Sequence, residues 1–367
     1  MTLAREVAEV YVNLNLTLGF ALVVWLALQA GLRRTWLRHA YGVQLRALKL
    51  LLVFVAVSPV LSFFAFQVQE AVAPERSLVL SDMVVAAYLH GDIKLSAIEF
   101  ERMLNLRDGW TEGVVTLASP LFTALAVALT FGLAVFVARF WLGLWRARRM
   151  VERSHLIKRI GRVDLRVSQA VRVPVAARGM WRNHVVFPYD FEAMGLDRKM
   201  ALAHELQHFR NRDLEWEIGL EMLRVLFFWN PAFVLLKRQF DRLRELSCDE
   251  AVLVRRGFDP FDYAMCLLRF CERAVAGPRL GLNVGLVTRG SQVRARDDLA
   301  HRLVSLGTMG AGRRVGVAQA ALFAAALTVG MALFAASIHT HKDWTHDRLM
   351  LSTVVNLERL EAINAGF

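Results

Sequence analysis

Four stretches of this chain are apolar and free of charged side chains for twenty residues or more: 11–32, 50–69, 113–138 and 315–338. A bilayer's hydrocarbon core is ~30 Å thick, and at ~1.5 Å of rise per residue about 20 helical residues cross it. A soluble core of 367 residues has little use for four such runs. The expectation is therefore four transmembrane helices. Pro59 and Pro120 sit inside or near the ends of two of them, which membrane helices tolerate. An apolar fraction of 56% excludes a disordered chain, and three cysteines cannot form a disulfide framework.

Charge supplies the orientation. Arg33, Arg34, Arg38, Arg46 and Lys49 follow the first apolar run, while residues 1–10 carry two Glu against one Arg. A cleaved signal peptide has its basic residues ahead of the apolar run, so this first run is read as a retained helix. The positive-inside bias then puts 1–10 outside and 33–49 in the cytoplasm. Segment 70–112, with eight acidic and four basic residues, becomes an extracytoplasmic loop. Residues 113–145 form the third helix and its extension, 146–314 a cytoplasmic domain, and 339–367 an extracytoplasmic tail. The expected location is a bacterial-type inner membrane, crossed several times, with both termini outside.

The net charge of +12 lies entirely in segment 146–314, which holds 31 Lys+Arg and 19 Asp+Glu. It reads first as an orientation signal. No nucleic-acid-binding motif accompanies it, so direct nucleic-acid binding is not expected, whereas contact with anionic inner-membrane lipid is. Cys248, Cys266 and Cys271 all fall in this segment, consistent with a reducing compartment.

Within this segment, 162–188 is rich in Val and punctuated by Pro174, Gly179 and Asn183, predicting two or three short strands. From about 197 the pattern is helical, with Asn230-Pro231 and Gly257 as breaks. The first helix carries HELQH, residues 204–208. At 100° per residue His204 and His208 lie ~40° apart, so both imidazoles can reach one Zn²⁺. Glu205 lies ~60° from His208, inside the same arc, where it can serve as general base without ligating the metal. A third protein ligand is still required. RELSCDE, residues 244–250, supplies two carboxylates at i and i+4, Glu245 and Asp249. Glu245 completes a His₂Glu set, and Asp249 can accept a hydrogen bond from the outer nitrogen of a ligand histidine. Cys248 is an alternative ligand, with packing as its preferred role.

The run HELQHFRNRD, then FFWNPAFVLL, then RELSCDEAVL resembles the peptidase domain of the BlaR/MecR-type membrane metallopeptidases. The resemblance is specific over about 204–253 and extends to the four-helix layout. It implies a mainly α membrane protein with a cytoplasmic α+β, gluzincin-like zinc-peptidase domain and a small sheet. It also implies His204, His208 and Glu245 as ligands, Glu205 as the catalytic base and Asp249 behind the ligands. The implied substrate is a cytoplasmic protein, a transcriptional repressor or the chain itself. An extracytoplasmic sensor partner and a homo-oligomer are compatible with this reading. Residues 339–367 are too few for the penicillin-binding domain of the β-lactam sensors, so direct β-lactam sensing is not expected.

Two other readings stand beside it: a housekeeping or CAAX-type membrane protease, and a non-catalytic receptor or scaffold with structural zinc. Tyr263, His301 and several arginines are candidates for stabilising an oxyanion. Segment 225–236 is too short to span and is expected to pack in the core or on the inner membrane surface. His339, His341 and His346 read as part of a polar juxtamembrane tail, and 287–303 as a basic helix before the last span.

Overall fold

The computed structural model describes residues 2–34, 36–72, 85, 87–90, 96–179, 182–275, 292–307, 330 and 346–365. Ten long helices and four strands account for most of them. In chain order these are α1 (Thr2–Leu32), α2 (Tyr41–Val72), α3 (Ala97–Thr116) and α4 (Pro120–Glu152), then β1 (His155–Ile160), β2 (Val163–Ser168), β3 (Val175–Arg178) and β4 (Asn183–Pro188). The remaining helices are α5 (Gly195–Arg210), α6 (Asp213–Leu226), α7 (Pro231–Arg256), α8 (Pro260–Val275), α9 (Gln292–Leu306) and α10 (His346–Ala365).

Among the described residues, three helices are long and apolar enough to cross a membrane: Ala4–Leu32, Tyr41–Leu61 and Pro120–Glu152. The run 315–338, expected as a fourth, lies outside the described residues apart from Gly330. So do His339 and His341 of the tail. The third span begins later than the apolar run predicts. Leu117 takes a left-handed conformation (φ 52°) that closes α3, and Pro120, whose missing N–H costs nothing in a first turn, opens α4. The apolar residues 113–116 thus belong to α3, which lies mostly within the segment 70–112 that separates the second and third apolar runs.

The chain forms two compact units. The first comprises 1–24, 49–130 and 318–367. In it α10 packs on α3, with Ala97 and Phe100 buried against Leu351 and Val355 and an Arg359–Glu101 ion pair at the rim.

The second unit comprises 25–48 and 131–317. Its sheet has the order β1-β2-β4-β3, with β2 and β4 parallel and the outer pairs antiparallel. Three of the strands fall in 162–188, where two or three were expected, and a fourth precedes that segment. The extra one is β1, whose six residues are all exposed, so no alternation of burial betrays it. Leu165, Val185 and Phe187 form the covered face and bury Phe191 and Ala201 against it, which seats α5 on the sheet. At about 1.5–3 kcal/mol for each large apolar side chain removed from water, such contacts fix the helix firmly. The opposite side of α5 enters a second cluster, in which Met200 packs with Cys248, Val252, Leu253, Tyr263, Cys266 and Leu306. Helix α5 is thus held between the sheet and α7, α8 and α9.

Candidate metal centre

His204 and His208 occupy the last turns of α5, and their Nε2 atoms lie 3.2 Å apart. Helix α7 brings Glu245 to the same point. Its Oε2 is 3.5 Å from Nε2 of His204 and 4.0 Å from Nε2 of His208. Helix α7 is held in place at both ends. Asn230 caps it by accepting from the Ala232 N–H at 2.8 Å, with Pro231 at the first position, and Gly257 closes it at φ 62°. Both i, i+4 pairings read from the sequence therefore converge.

Each ligand candidate is gripped from behind. His208 Nδ1 pairs with Oδ2 of Asp213 at 2.9 Å. Asp213 opens α6 because Arg212 adopts a left-handed turn (φ 56°), unusual for a residue with a side chain. His204 Nδ1 meets the Tyr263 hydroxyl at 2.9 Å and Oδ1 of Asp249 at 3.3 Å. Tyr263 donates to Asp249 at 2.8 Å, and Arg302 grips both oxygens of Asp249 at 2.7 and 2.8 Å. Glu245 is oriented in the same manner. Arg244 binds its Oε1 at 3.1 Å, leaving Oε2 aimed at the imidazole pair, with Arg302 3.4 Å away.

Zinc bonded at about 2.0–2.1 Å in a tetrahedral site separates its ligand atoms by roughly 3.3–3.4 Å. The His204–His208–Glu245 spacings are of that size, and one carboxylate with two imidazoles is a donor set suited to zinc. The electrostatics agree. Burial alone would lower the His208 imidazole, but Cys248, Asp213 and Glu245 outweigh it and lift its pKa to about 10. Burial would raise Glu245, yet His204, His208, Arg244 and Arg302 hold it well below the usual carboxylate range. The pocket favours positive charge at its centre.

Cys248 does more than pack. It is fully buried, and with His204 and His208 it forms a compact group of potential metal donors. Its Sγ lies 3.6 Å from Nδ1 of His204 and 3.4 Å from the His204 carbonyl, and it also hydrogen-bonds with the His208 ring. Glu245 Oε2 meets both imidazoles through their Nε2 atoms, at 3.5 and 4.0 Å, so a His₂Glu donor set stands beside the His₂Cys group.

Glu205 is raised above the usual carboxylate range, chiefly by burial, and accepts a hydrogen bond from the backbone N–H of Ala176. Ala176 belongs to β3, an edge strand among the described residues, so that strand lies beside Glu205. Tyr263 is not placed to stabilise an oxyanion: it is buried against Nδ1 of His204, behind the ring. His301 is exposed. Asp213, Arg244 and Arg302 were not identified from the sequence as parts of the centre.

Residues 10–286 match the family described as BlaR1 peptidase M56. The chain belongs to that family. A curated relative, the Regulatory protein BlaR1 of Bacillus licheniformis, is 30% identical over 93 residues, which is 25% of this chain and 15% of that protein. The chain thus aligns with only a small part of that relative. Family membership and the three apolar helices support a membrane protein, and His204, Glu205, His208, Glu245 and Asp249 fall within the matched region, with Arg302 beyond it.

Proposed function

We propose that this M56 peptidase is a zinc endopeptidase that cleaves a cytoplasmic protein, with His204, His208 and Glu245 as the metal ligands and Glu205 as general base. The observation that carries this reading is the convergence of two imidazole Nε2 atoms and one carboxylate oxygen within 4.0 Å, with Glu205 on the helix that carries both histidines. Zinc, when bound, supplies Lewis acidity toward a carbonyl and brings the pKa of water down to ~7. Glu205 takes the proton from the attacking water on a carboxylate oxygen and passes it to the leaving amine. The Ala176 N–H keeps that carboxylate turned toward the centre. The outer edge of β3, an edge strand among the described residues, would offer main-chain donors and acceptors to an extended substrate segment.

The name of the relative supports a regulatory role, so the substrate is read as a transcriptional repressor, with self-cleavage as a second event. The concentration of positive charge in 146–314 supports a cytoplasmic face for the domain. Purified full-length protein should carry one zinc per chain, and Glu205→Gln should abolish proteolysis while retaining the metal. Zinc-free protein that still cleaves, or an undiminished Glu205→Gln variant, overturns the reading. Proteins trapped by Glu205→Gln identify the class: one repressor-like species supports regulation, and many membrane proteins indicate housekeeping. Glu245→Gln should release zinc while Cys248→Ser should retain it, and the reverse result would move the third ligand to the thiol.

A further inference from the structure

The tip where α6 meets α7, residues 225–236 (VLFFWNPAFVLL), has no charged side chain. Part of it is core: Phe227, Phe233 and Leu236 are buried. Leu235, in contrast, is 42% exposed and Trp229 47%. Scattered exposed apolar residues carry little meaning by themselves. What the tip rests on carries more.

The Phe228 ring stacks on Phe136 of α4, with centroids 5.1 Å apart, and fills space that Gly132 leaves by having no Cβ. Gly132 and Phe136 lie in the uncharged stretch of α4 that ends at Arg139, inside a helix apolar enough to cross a membrane. The end of that stretch is marked from two directions. The guanidinium groups of Arg139 and Arg224 both lie over the Phe136 ring, 5.6 and 5.4 Å from its centroid. Arg224 is the last charge before the tip and pairs with Glu221. Lys237, the first charge after it, is turned inward onto Glu217, Glu221 and Asp241. The charges on both arms of the hairpin thus stop where the apolar surface of α4 begins.

Helix α7 carries an independent marker of level. Gln239, just beyond the tip, accepts a hydrogen bond of 3.1 Å from Gln29, near the end of the candidate span in α1. Farther along, Glu250 accepts from the Gly42 N–H at 3.2 Å, at the start of α2. Passing from the tip to Glu250, α7 runs from the apolar part of one span to the turn that joins two others.

We propose that residues 225–236 insert as an apolar wedge into the bilayer leaflet on the side of the peptidase domain, their partner being lipid hydrocarbon. Glu245 then stands about 14 Å beyond Leu236, at ~1.5 Å per residue, so the metal centre works close to the membrane surface. Peptide bonds held near that surface are the ones within its reach.

The test uses the full chain in phosphatidylcholine–phosphatidylglycerol vesicles, in a Cys271→Ser background that leaves the two buried cysteines. A nitroxide at Leu235→Cys should relax several-fold faster with oxygen than with a water-soluble nickel chelate. At Val254→Cys, exposed on the same helix, the preference should reverse. A label at 235 as open to nickel as the one at 254 overturns the proposal, and so does one closed to both reagents, which would mean that protein covers the tip. The unaltered chain supplies a second test, free of folding artefacts. Diazirine-bearing lipids should cross-link within 225–236, and absence of those adducts beside adducts on α4 also overturns it.

Discussion

His204 and His208 meet through their Nε2 atoms, yet the two rings are supported by different kinds of structure. Behind His208 stands Asp213, five residues farther along the chain and delivered by the turn at Arg212. Behind His204 stands an assembly drawn from three helices: Asp249 of α7, Tyr263 of α8 and Arg302 of α9. The first support closes a short loop and can form as soon as α5 and α6 do. The second joins residues far apart in sequence, so it exists only when α7, α8 and α9 have packed. One half of the centre is local chemistry, and the other half reports on assembly of the domain.

The comparison is broken most directly at Asp249. This carboxylate is fully buried, and its counter-charge Arg302 is largely so. Removing one partner of such a pair leaves an uncompensated buried charge, at a cost of about 3–5 kcal/mol. Asp249→Ala should therefore lose zinc and stability together in denaturant unfolding of the full chain. Adding Arg302→Met should recover much of the stability and none of the zinc affinity. A double variant no more stable than Asp249→Ala alone would show that the pair is not what holds α9 on α7.

Asp213→Asn should behave differently. The outer partner of a ligand histidine is worth roughly 10–100-fold in metal affinity, and an amide still fills the space. Competition with a chelator should register that loss, while unfolding shifts by less than about 1 kcal/mol, the ordinary scale of one hydrogen bond. If Asp213→Asn were as destabilising as Asp249→Ala, the distinction between a local and an assembled support would fail. Tyr263→Phe should be milder in metal affinity than either, since Oδ1 of Asp249 remains 3.3 Å from Nδ1 of His204. Its stability cost should be about 1 kcal/mol for the lost hydroxyl bonds.

The same division explains what could be read from the sequence. His204, Glu205, His208, Glu245 and Asp249 are related by helical spacing, and an i, i+4 pair shows its shared face without any knowledge of the fold. Three apolar spans were legible for a similar reason, since length and absence of charge are local properties. Asp213 was hidden by the conformation of one residue: Arg212 is neither Gly nor Asn, and nothing in its type announces a left-handed turn. The links of Arg302 and Tyr263 to Asp249 were hidden by distance, because only the packing of α8 and α9 onto α7 brings them together. Strand β1 escaped because an exposed edge strand lacks the alternation that reveals half-buried ones. The break at Leu117 escaped because an apolar run passes through it without interruption.

The smallest expected effect follows assembly without disturbing the metal. Cys266 belongs to the cluster that packs α5 against α7 and α8, is 2% exposed, and has its thiol pushed up to about 12 by burial and the nearby Asp197. Cys271, on the same helix, is only half-buried. Thiolate is the reacting form, so at pH 8 alkylation should mark Cys271 and spare Cys266. In Asp249→Ala, release of Tyr263 and Arg302 should loosen α8, and Cys266 should begin to label, read by mass spectrometry of the two peptides. In Asp213→Asn it should stay protected even after zinc is lost. Equal labelling of Cys266 in the two variants would mean that both carboxylates support the same structure, and the difference between the two histidines would then be one of chain distance only.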